Sequence, residues 1–373
     1  MIYLDHNASS PLRPEAREAM RPWLEGATGN PSSAHAAGRN ARRALEDARE
    51  MIAHHLGAHA DEVVFTSGAT EANNLAVFGL AADPPGHFLS SRIEHPCVIS
   101  PLEHLVARGF AGTWLPVSLD AIIAPASLLE SLTDDSTLVA VMLANHETGV
   151  IQPIAELVYS ACGVPFHCDA AQAVGKIPVD FHGLCVTTLS VSAHKLGGPP
   201  GIGALLVNRC AKLAPLQYGG PQERRRRPGT EPVALAVGMA AALDAALSNC
   251  ETEAARMLGL RQRFLVALHD GGLEFALNGP KSGGLPHVLN LSFPGCRGDA
   301  LLMALDLGGV CCSTGSACSS GSLLPSPVLK AMGLPQERLI SALRFSFGPT
   351  TTEAEVDEAA KEVVRVVIRI RSE

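Results

Sequence analysis

Lys195 ends the run Ser190-Val191-Ser192-Ala193-His194-Lys195 and precedes Leu196-Gly197-Gly198-Pro199-Pro200-Gly201. A lysine past a buried-looking strand and ahead of a glycine–proline loop has two readings. It is a solvent-facing amine, or one whose desolvation lowers its pKa enough to attack and hold a carbonyl carbon. In Phe166-His167-Cys168-Asp169-Ala170-Ala171-Gln172 an acid stands at the carboxyl end of an apolar run. That edge is where ligands bind in open α/β sheets. Asp169 there either caps a helix or pairs with a protonated ring nitrogen of a bound heterocycle. Ser67-Gly68-Ala69-Thr70-Glu71 follows an apolar Val-Val-Phe and opens a helical stretch. Free amides and the positive end of the helix dipole, roughly half a charge, would cradle a phosphate there. The same residues also read as an ordinary start capped by Ser67 or Thr70.

A fourth place is Cys318, within Cys311-Cys312-Ser313-Thr314-Gly315-Ser316-Ala317-Cys318-Ser319-Ser320-Gly321-Ser322. Small polar residues around it suit neither strand nor helix, so a mobile loop is expected. A thiol on such a loop can travel between sites, unless it is an incidental loop cysteine. With an unperturbed pKa of ~8.5, only a few per cent is thiolate at neutral pH, and a nearby cation raises that share. Cys311 and Cys312 stand in more apolar context and read as core.

These residues must be positioned by a chain of 373 residues, long enough to predict two domains. Apolar residues make up 47% and aromatics only 4%, so aliphatic side chains must build the core. Helical periodicity runs over 39–56. Consecutive apolar positions predict strands at 136–143, 164–170, 185–192 and 202–208. Runs without alternation suit a mainly parallel sheet covered by helices on both faces. A long helical region over 233–269 is expected to break near Asn249. Strands of a smaller sheet follow at 285–295 and 341–350, and an amphipathic helix over 353–370 closes the chain. The expected division is a large domain over 15–255, and a small α+β domain formed by 1–14 and 256–373 that carries the Cys318 loop.

A net charge of -8 argues against broad contact with nucleic acid or an anionic membrane. No apolar run reaches bilayer length, and Met1 to Ser10 lack the pattern of a signal peptide. Ten scattered cysteines predict free thiols in a reducing cytoplasm, most of them buried as small hydrophobes. No metal ligands are assigned.

Taken in order, these pieces resemble the cysteine desulfurases of the NifS/IscS type, within the class-V aminotransferase group of fold-type I pyridoxal 5'-phosphate (PLP) enzymes. The likeness runs from Tyr3-Leu4-Asp5-His6-Asn7-Ala8 to Phe345-Ser346-Phe347-Gly348. It includes Gly29-Asn30-Pro31-Ser32-Ser33, Glu94-His95-Pro96, Ala193-His194-Lys195, Gly229-Thr230-Glu231 and the surroundings of Cys318. The resemblance implies that Lys195 carries PLP and that Ala69, Thr70, Ser192 and His194 bind its phosphate. Thr230 would be a phosphate ligand supplied by a neighbouring subunit, hence a homodimer with shared active sites. Asp169 matches the partner of the ring nitrogen and Gln172 a donor to the ring oxygen. His95 matches an imidazole stacked on the ring and active in proton transfer. Arg344 matches the grip on the substrate carboxylate, a task suited to its bidentate fork, with Asn30 nearby. The implied reaction converts L-cysteine to L-alanine, with the sulfur held on Cys318 as a persulfide. A sulfur-acceptor or scaffold protein then takes it, for iron–sulfur cluster assembly or another thiolation pathway.

Three features depart from the family. His146 stands in Ala144-Asn145-His146-Glu147 where a second asparagine is usual. Its imidazole N–H can still donate to the cofactor, and Asn145 is expected to be able to compensate. Arg224-Arg225-Arg226-Arg227 is unusually basic; Arg227 fits a family position and the rest read as a solvated rim. The chain ends at Glu373, short of the tail by which housekeeping members dock a scaffold, so another acceptor or docking mode is expected. Two competing readings remain. One is another enzyme of the same class, an aminotransferase or a selenocysteine lyase, and the Cys318 loop argues against the aminotransferase. The other is a sulfur carrier without turnover, disfavoured by Lys195, Asp169, His95 and Arg344.

Overall fold

The computed structural model describes residues 1–81, 85–314 and 325–372. The strands, in chain order, are β1 (Ile2–Tyr3), β2 (Val63–Thr66), β3 (His87–Ser91), β4 (Ala111–Leu115), β5 (Ser136–Ala140), β6 (Phe166–Asp169), β7 (Thr188–Ser192), β8 (Gly203–Val207), β9 (Ala276–Leu277), β10 (Val288–Ser292), β11 (Val310–Cys311) and β12 (Ala342–Ser346). Seven form one sheet in the order β2-β8-β7-β6-β5-β3-β4. All neighbours pair in parallel except β8, which runs antiparallel to both β7 and β2. Every residue of β2, β6, β7 and β8 is buried. Helices on both faces explain why these strands read as unbroken apolar runs rather than alternating ones. The predicted mainly parallel α/β sheet is therefore the one observed. At the edge, β4 has exposed residues and carries Trp114 under the Arg92 guanidinium.

Because β8 alone is reversed, β2, β3, β5, β6 and β7 all point the same way. Their carboxyl ends open on one side of the sheet, and the chain that follows each strand lies there. This geometry, more than any single motif, positions the site.

The helix predicted at 39–56 spans Ala36–His55. The long helical region divides into Val233–Leu247 and Cys250–Asp270, bent by 70° on either side of Asn249. The first half is apolar all round because it lies in the core, where Ala236, Met239, Ala242 and Leu243 are buried. Among the described residues, no single helix is long and apolar enough to cross a membrane.

A second apolar cluster gathers Leu4, Phe264, Phe293, Phe345 and Phe347. The antiparallel sheet β12-β10-β9 and the parallel pair β1-β11 surround it. The helix Glu353–Ser372 lays Val356, Ala359, Ala360, Val363 and Val367 into it, at the spacing of an amphipathic face. The chain start lies between β11 and β12. Leu4 N donates to Cys311 O, and Ser346 N donates to Leu4 O.

The cysteines differ from expectation. Of the nine described, all free, only Cys97, Cys168 and Cys296 are buried, while Cys162, Cys185 and Cys210 are exposed. Cys311 and Cys312 are half-buried rather than core. Both stand at the rim of the small sheet, where β11 is only two residues long.

Candidate active site

A cavity of about 500 Å³ opens where the carboxyl ends of β2, β3, β5, β6 and β7 meet β12. Its size suits a small-molecule site, typically about 300–1,000 Å³. Ala69, Thr70, His95, His146, Asp169, Gln172, Ser192, His194, Lys195 and Arg344 all line it. Asn30 and Thr230 do not. Asn30 is exposed and its Oδ1 accepts from Ser32 N at 2.8 Å. Thr230 is exposed on the loop before the Val233–Leu247 helix. Cys318 lies outside the described residues. A larger hollow of about 860 Å³ along Ile154, Val179 and Asn249 gathers none of the expected residues.

β2 turns at Ser67-Gly68 into the helix Ala69–Leu80. Neither Ser67 nor Thr70 caps it: Gly68 holds the cap position and makes no side-chain cap hydrogen bond. A Cβ added at Gly68 would meet nothing within 4 Å, so this turn faces open space. Behind it, a Cβ at Gly203 would come within 2.5 Å of Val191 O and 2.8 Å of Gly68, so only glycine lets β8 pass so close. Outside the turn, Ser67 N donates to Glu71 Oε2 at 2.6 Å, and Glu71 is paired with Arg227 at 2.8 Å. Arg227 thus acts on the turn from behind; Arg224 and Arg225 are exposed as the solvated rim expected, but Arg226 is half-buried, with Nη1 buried and no partner for it among the described residues.

β6 delivers Asp169, which is 6% exposed. Its carboxylate accepts from Asn73 Nδ2 at 2.7 Å, Ala171 N at 2.9 Å and Ser190 Oγ at 3.3 Å. β7 leads into a short 3-10 helix ending at Lys195. Lys195 Nζ donates to Asn7 O at 2.6 Å and Ala8 O at 2.8 Å, and the Lys195 carbonyl accepts from Lys176 Nζ at 2.9 Å. Burial, then the Lys195 charge, lowers the His194 pKa to about 4, so His194 is a neutral donor or acceptor at pH 7.

After β3, His95 caps the helix Pro96–Ala107. After β5, His146 packs edge-on against it, with ring centroids 5.4 Å apart. Burial, then His95, Arg344 and Lys195, hold the His146 pKa well below the usual histidine value. Its Nδ1 is buried and has no hydrogen-bond partner among the described residues. Asn145 cannot substitute for it. Asn145 is fully buried, its Nδ2 donates to Ile93 O, and its Oδ1 accepts from Glu147 N and Thr148 N. It builds the turn and does not line the cavity, which corrects the expectation of compensation.

Arg344 on β12 enters from the small sheet. One edge is already engaged, with Nη2 on Asp5 Oδ1 at 2.7 Å and Nη1 on His146 O at 3.0 Å. Its Nε is buried without a partner. The sequence reading missed Asp5 and its neighbour Asn7, although both sit in the matching N-terminal stretch. Asn7 receives Gln172 Nε2 and Lys195 Nζ on its carbonyl and donates Nδ2 to His146 O. Asn73 and Cys97 were also missed. The signal available was an asparagine on the inner face of an apolar helix, here fully buried.

Away from the cavity, His59, Glu62 and His182 bring potential ligand atoms within 4.8 Å of one another. Glu62 Oε2 there already accepts from His59 N at 2.9 Å and faces His182 Nε2 at 2.8 Å, a capping box joined to an ion pair.

Fold and cavity together define an α/β enzyme of fold type I. The chain belongs to the aminotransferase class-V family, which matches residues 2–359. It is 42% identical to a cysteine desulfurase IscS of Dictyoglomus turgidum, covering 100% of this chain and 95% of that protein. Among solved structures, a NifS-like protein superposes with a TM-score of 0.93 at 32% identity, covering 99% of each chain. SspA in complex with cysteine superposes with a TM-score of 0.84 at 34% identity, covering 94% of this chain and 100% of that one. The resemblance to NifS/IscS-type desulfurases thus extends over the whole length.

Proposed function

We propose that this protein is a PLP-dependent cysteine desulfurase that converts L-cysteine to L-alanine and stores the sulfur on Cys318. One observation carries the reading. A lysine, a buried acid, an uncapped helix start and an arginine converge on one cavity, in a chain whose full-length relative is named for that activity.

The residues fit PLP. The Gly68 turn offers unused amides and open space for a phosphate, and Asp169 offers a buried anion for a cationic ring nitrogen. Ala69, Thr70, Ser192 and His194 would hold the phosphate, with Thr230 of a second subunit. That homodimer is supported by the exposure of Thr230 off its own chain's cavity and of the nearby Tyr218. Gln172 and His146 would donate to the ring oxygen, and His95 would cover the ring. Bound PLP supplies an electron sink for charge developing at the substrate Cα.

The chain's own residues do the rest. Arg344, held in place by Asp5, binds the substrate carboxylate through its remaining donors. Lys195 moves the Cα proton. The Cys318 thiol takes the sulfur, so that enzyme thiol plus cysteine gives enzyme persulfide plus alanine, with no external oxidant. A sulfur-acceptor or scaffold protein then discharges it. The division into a domain over 15–255 and one formed by 1–14 with 256–373 is supported by the second apolar cluster, which draws only on 1–14 and 256–373, while Leu285, Val288 and the cluster around Val328 pack against the larger part. Free thiols fit a reducing cytoplasm.

The test is cysteine turnover in the wild type and in Cys318→Ser. With a thiol reductant added to discharge the persulfide, the wild type is expected to form alanine and sulfide, and the variant to keep its PLP absorbance without turnover. Full alanine production by Cys318→Ser refutes the role of Cys318. A borohydride-reduced adduct on any residue but Lys195 refutes that of Lys195.

A further inference from the structure

His95 caps its helix by accepting the Cys97 backbone N–H on Nδ1 at 3.2 Å. The same nitrogen lies 2.8 Å from Cys97 Sγ. A ring nitrogen that accepts from an N–H carries no proton of its own, so the thiol must be the donor in the second contact. Asn73 sets the same direction independently. Its Nδ2 donates to Asp169 Oδ2 at 2.7 Å and to Cys97 Sγ at 3.0 Å, while its Oδ1 faces His167 Nε2 at 2.9 Å. The reverse amide orientation would set oxygen against the Asp169 carboxylate. Cys97 therefore accepts from Asn73 and gives its own hydrogen to His95. Burial, then the Asp169 charge, pushes the Cys97 thiol up to about 12, so that hydrogen stays in place at neutral pH.

We propose that Cys97 and Asn73 are positioning residues that hold His95 as the neutral Nε2–H tautomer, so that His95 serves the cavity as a hydrogen-bond donor and leaves proton abstraction to Lys195. The inference rests on the desulfurase reading and narrows the acid–base role expected for His95.

To become a cation, His95 would have to protonate Nδ1 against two donors and the positive end of its helix. Burial lowers its pKa first; Asp169 on β6 opposes this and Lys195 after β7 adds to it. The remaining titratable groups around it do not reverse the balance. His146 after β5 is held neutral, Cys97 on its own helix is held protonated, and Glu94 beside it is pushed up to about 8. Arg344 shares the cavity and repels a second cation, and His104 lines the outer side.

The experiment uses PLP-loaded protein with 15N-labelled histidine, the His95 signals being assigned by their loss in His95→Gln. Nδ1 is expected bare and Nε2 protonated from about pH 6 to about pH 8, where a free histidine would titrate. A proton on Nδ1 in that range overturns the proposal. In Cys97→Ala the titration of His95 is expected to move up by about one unit, with Cys97→Ser restoring it. An unmoved titration removes Cys97 from the proposal. In cysteine turnover, His95→Gln loses the ring cover but keeps a donor, so kcat is expected to fall by about tenfold while both limbs of the pH profile are retained. An acid–base role predicts instead a loss of about 10²–10⁴-fold in that variant, which overturns the donor role. If the wild type makes no alanine, the desulfurase reading fails, and the labelled spectra still decide the tautomer.

Discussion

Cutting Glu223 back to alanine tests how the rim of the cavity is held. The Arg49 and Glu223 side chains are each 2% exposed and meet bidentately, with both contacts at 2.7 Å. Glu223 Oε2 also accepts from Phe65 N at 2.9 Å. Glu223, Arg224 and Arg225 all have left-handed backbone, with φ of 45°, 55° and 65°. Such conformations cost of order 1 kcal/mol or more per non-glycine residue and persist only where neighbours enforce them. The ion pair is that enforcement. Removing Glu223 leaves the Arg49 guanidinium buried, with only the half-exposed Glu46 at 3.1 Å as counter-charge, and orphans the Phe65 amide. Breaking a buried pair from one side costs about 3–5 kcal/mol, and an orphaned buried amide about 1–3. The two penalties overlap in one site, so about 4 kcal/mol is expected. The strained segment runs on to Arg227, which holds Glu71 and through it Ser67 N, so the phosphate turn should loosen as well. Urea unfolding measures the first effect and PLP titration the second. The pair Arg49→Met with Glu223→Leu should recover most of the stability, because no uncompensated charge remains. A Glu223→Ala protein within about 1 kcal/mol of wild type, or a double variant no better than the single one, would refute the reasoning.

Three further outcomes follow from the same contacts. Glu94 is buried, and burial, reinforced by Asp169, raises its carboxyl to about 8. The folded protein then keeps a proton that the unfolded chain releases above its ordinary carboxyl pKa. That stabilisation is complete below the unfolded value and is lost as pH rises through about 8. Glu94→Gln can keep the bonds to Ser91 Oγ at 2.6 Å and Met142 N at 2.7 Å, and should flatten the fall in stability between the ordinary carboxyl range and about pH 8. An equal fall in both proteins tells against it. Arg344→Lys loses the planar fork, so kcat/KM for cysteine should drop about ten- to hundredfold, mainly through KM. An unchanged KM excludes Arg344 from carboxylate binding. His146→Asn removes a buried ring nitrogen that has no partner, and should preserve turnover while stabilising the fold by about 1 kcal/mol. A tenfold or larger loss of turnover would show that the imidazole is needed.

Much of the framework was legible along the chain because its signals are local. Unbroken apolar runs imply strands covered on both faces, and β2, β6, β7 and β8 are buried throughout. The break at Asn249 separates two helices. Where expectation and structure part, the cause is packing that no local pattern encodes. Asn145 was expected to reach the cofactor, yet its amide is spent on Ile93, Glu147 and Thr148. Of the nine described cysteines, expected mostly inside, only three are buried, three are half-buried and three are exposed.

The sequence by itself determined which functional groups exist and on which strand ends they lie. Asp169 closes an apolar run, Lys195 follows another, and Gly68 precedes a helix; each placement follows from short-range periodicity and turn chemistry. Only the tertiary structure decided what those groups face. With β8 alone reversed, the other six strands open on one side of the sheet, and β2, β3, β5, β6 and β7 lead into the cavity there. The N-terminal strand, paired with β11, carries Asp5 to Arg344 and Asn7 to Lys195 across most of the chain's length. Such partners are hundreds of residues apart, so no window of sequence contains both. Their contact is chosen by the burial of two cores and the pairing of strands, which are properties of the folded chain as a whole.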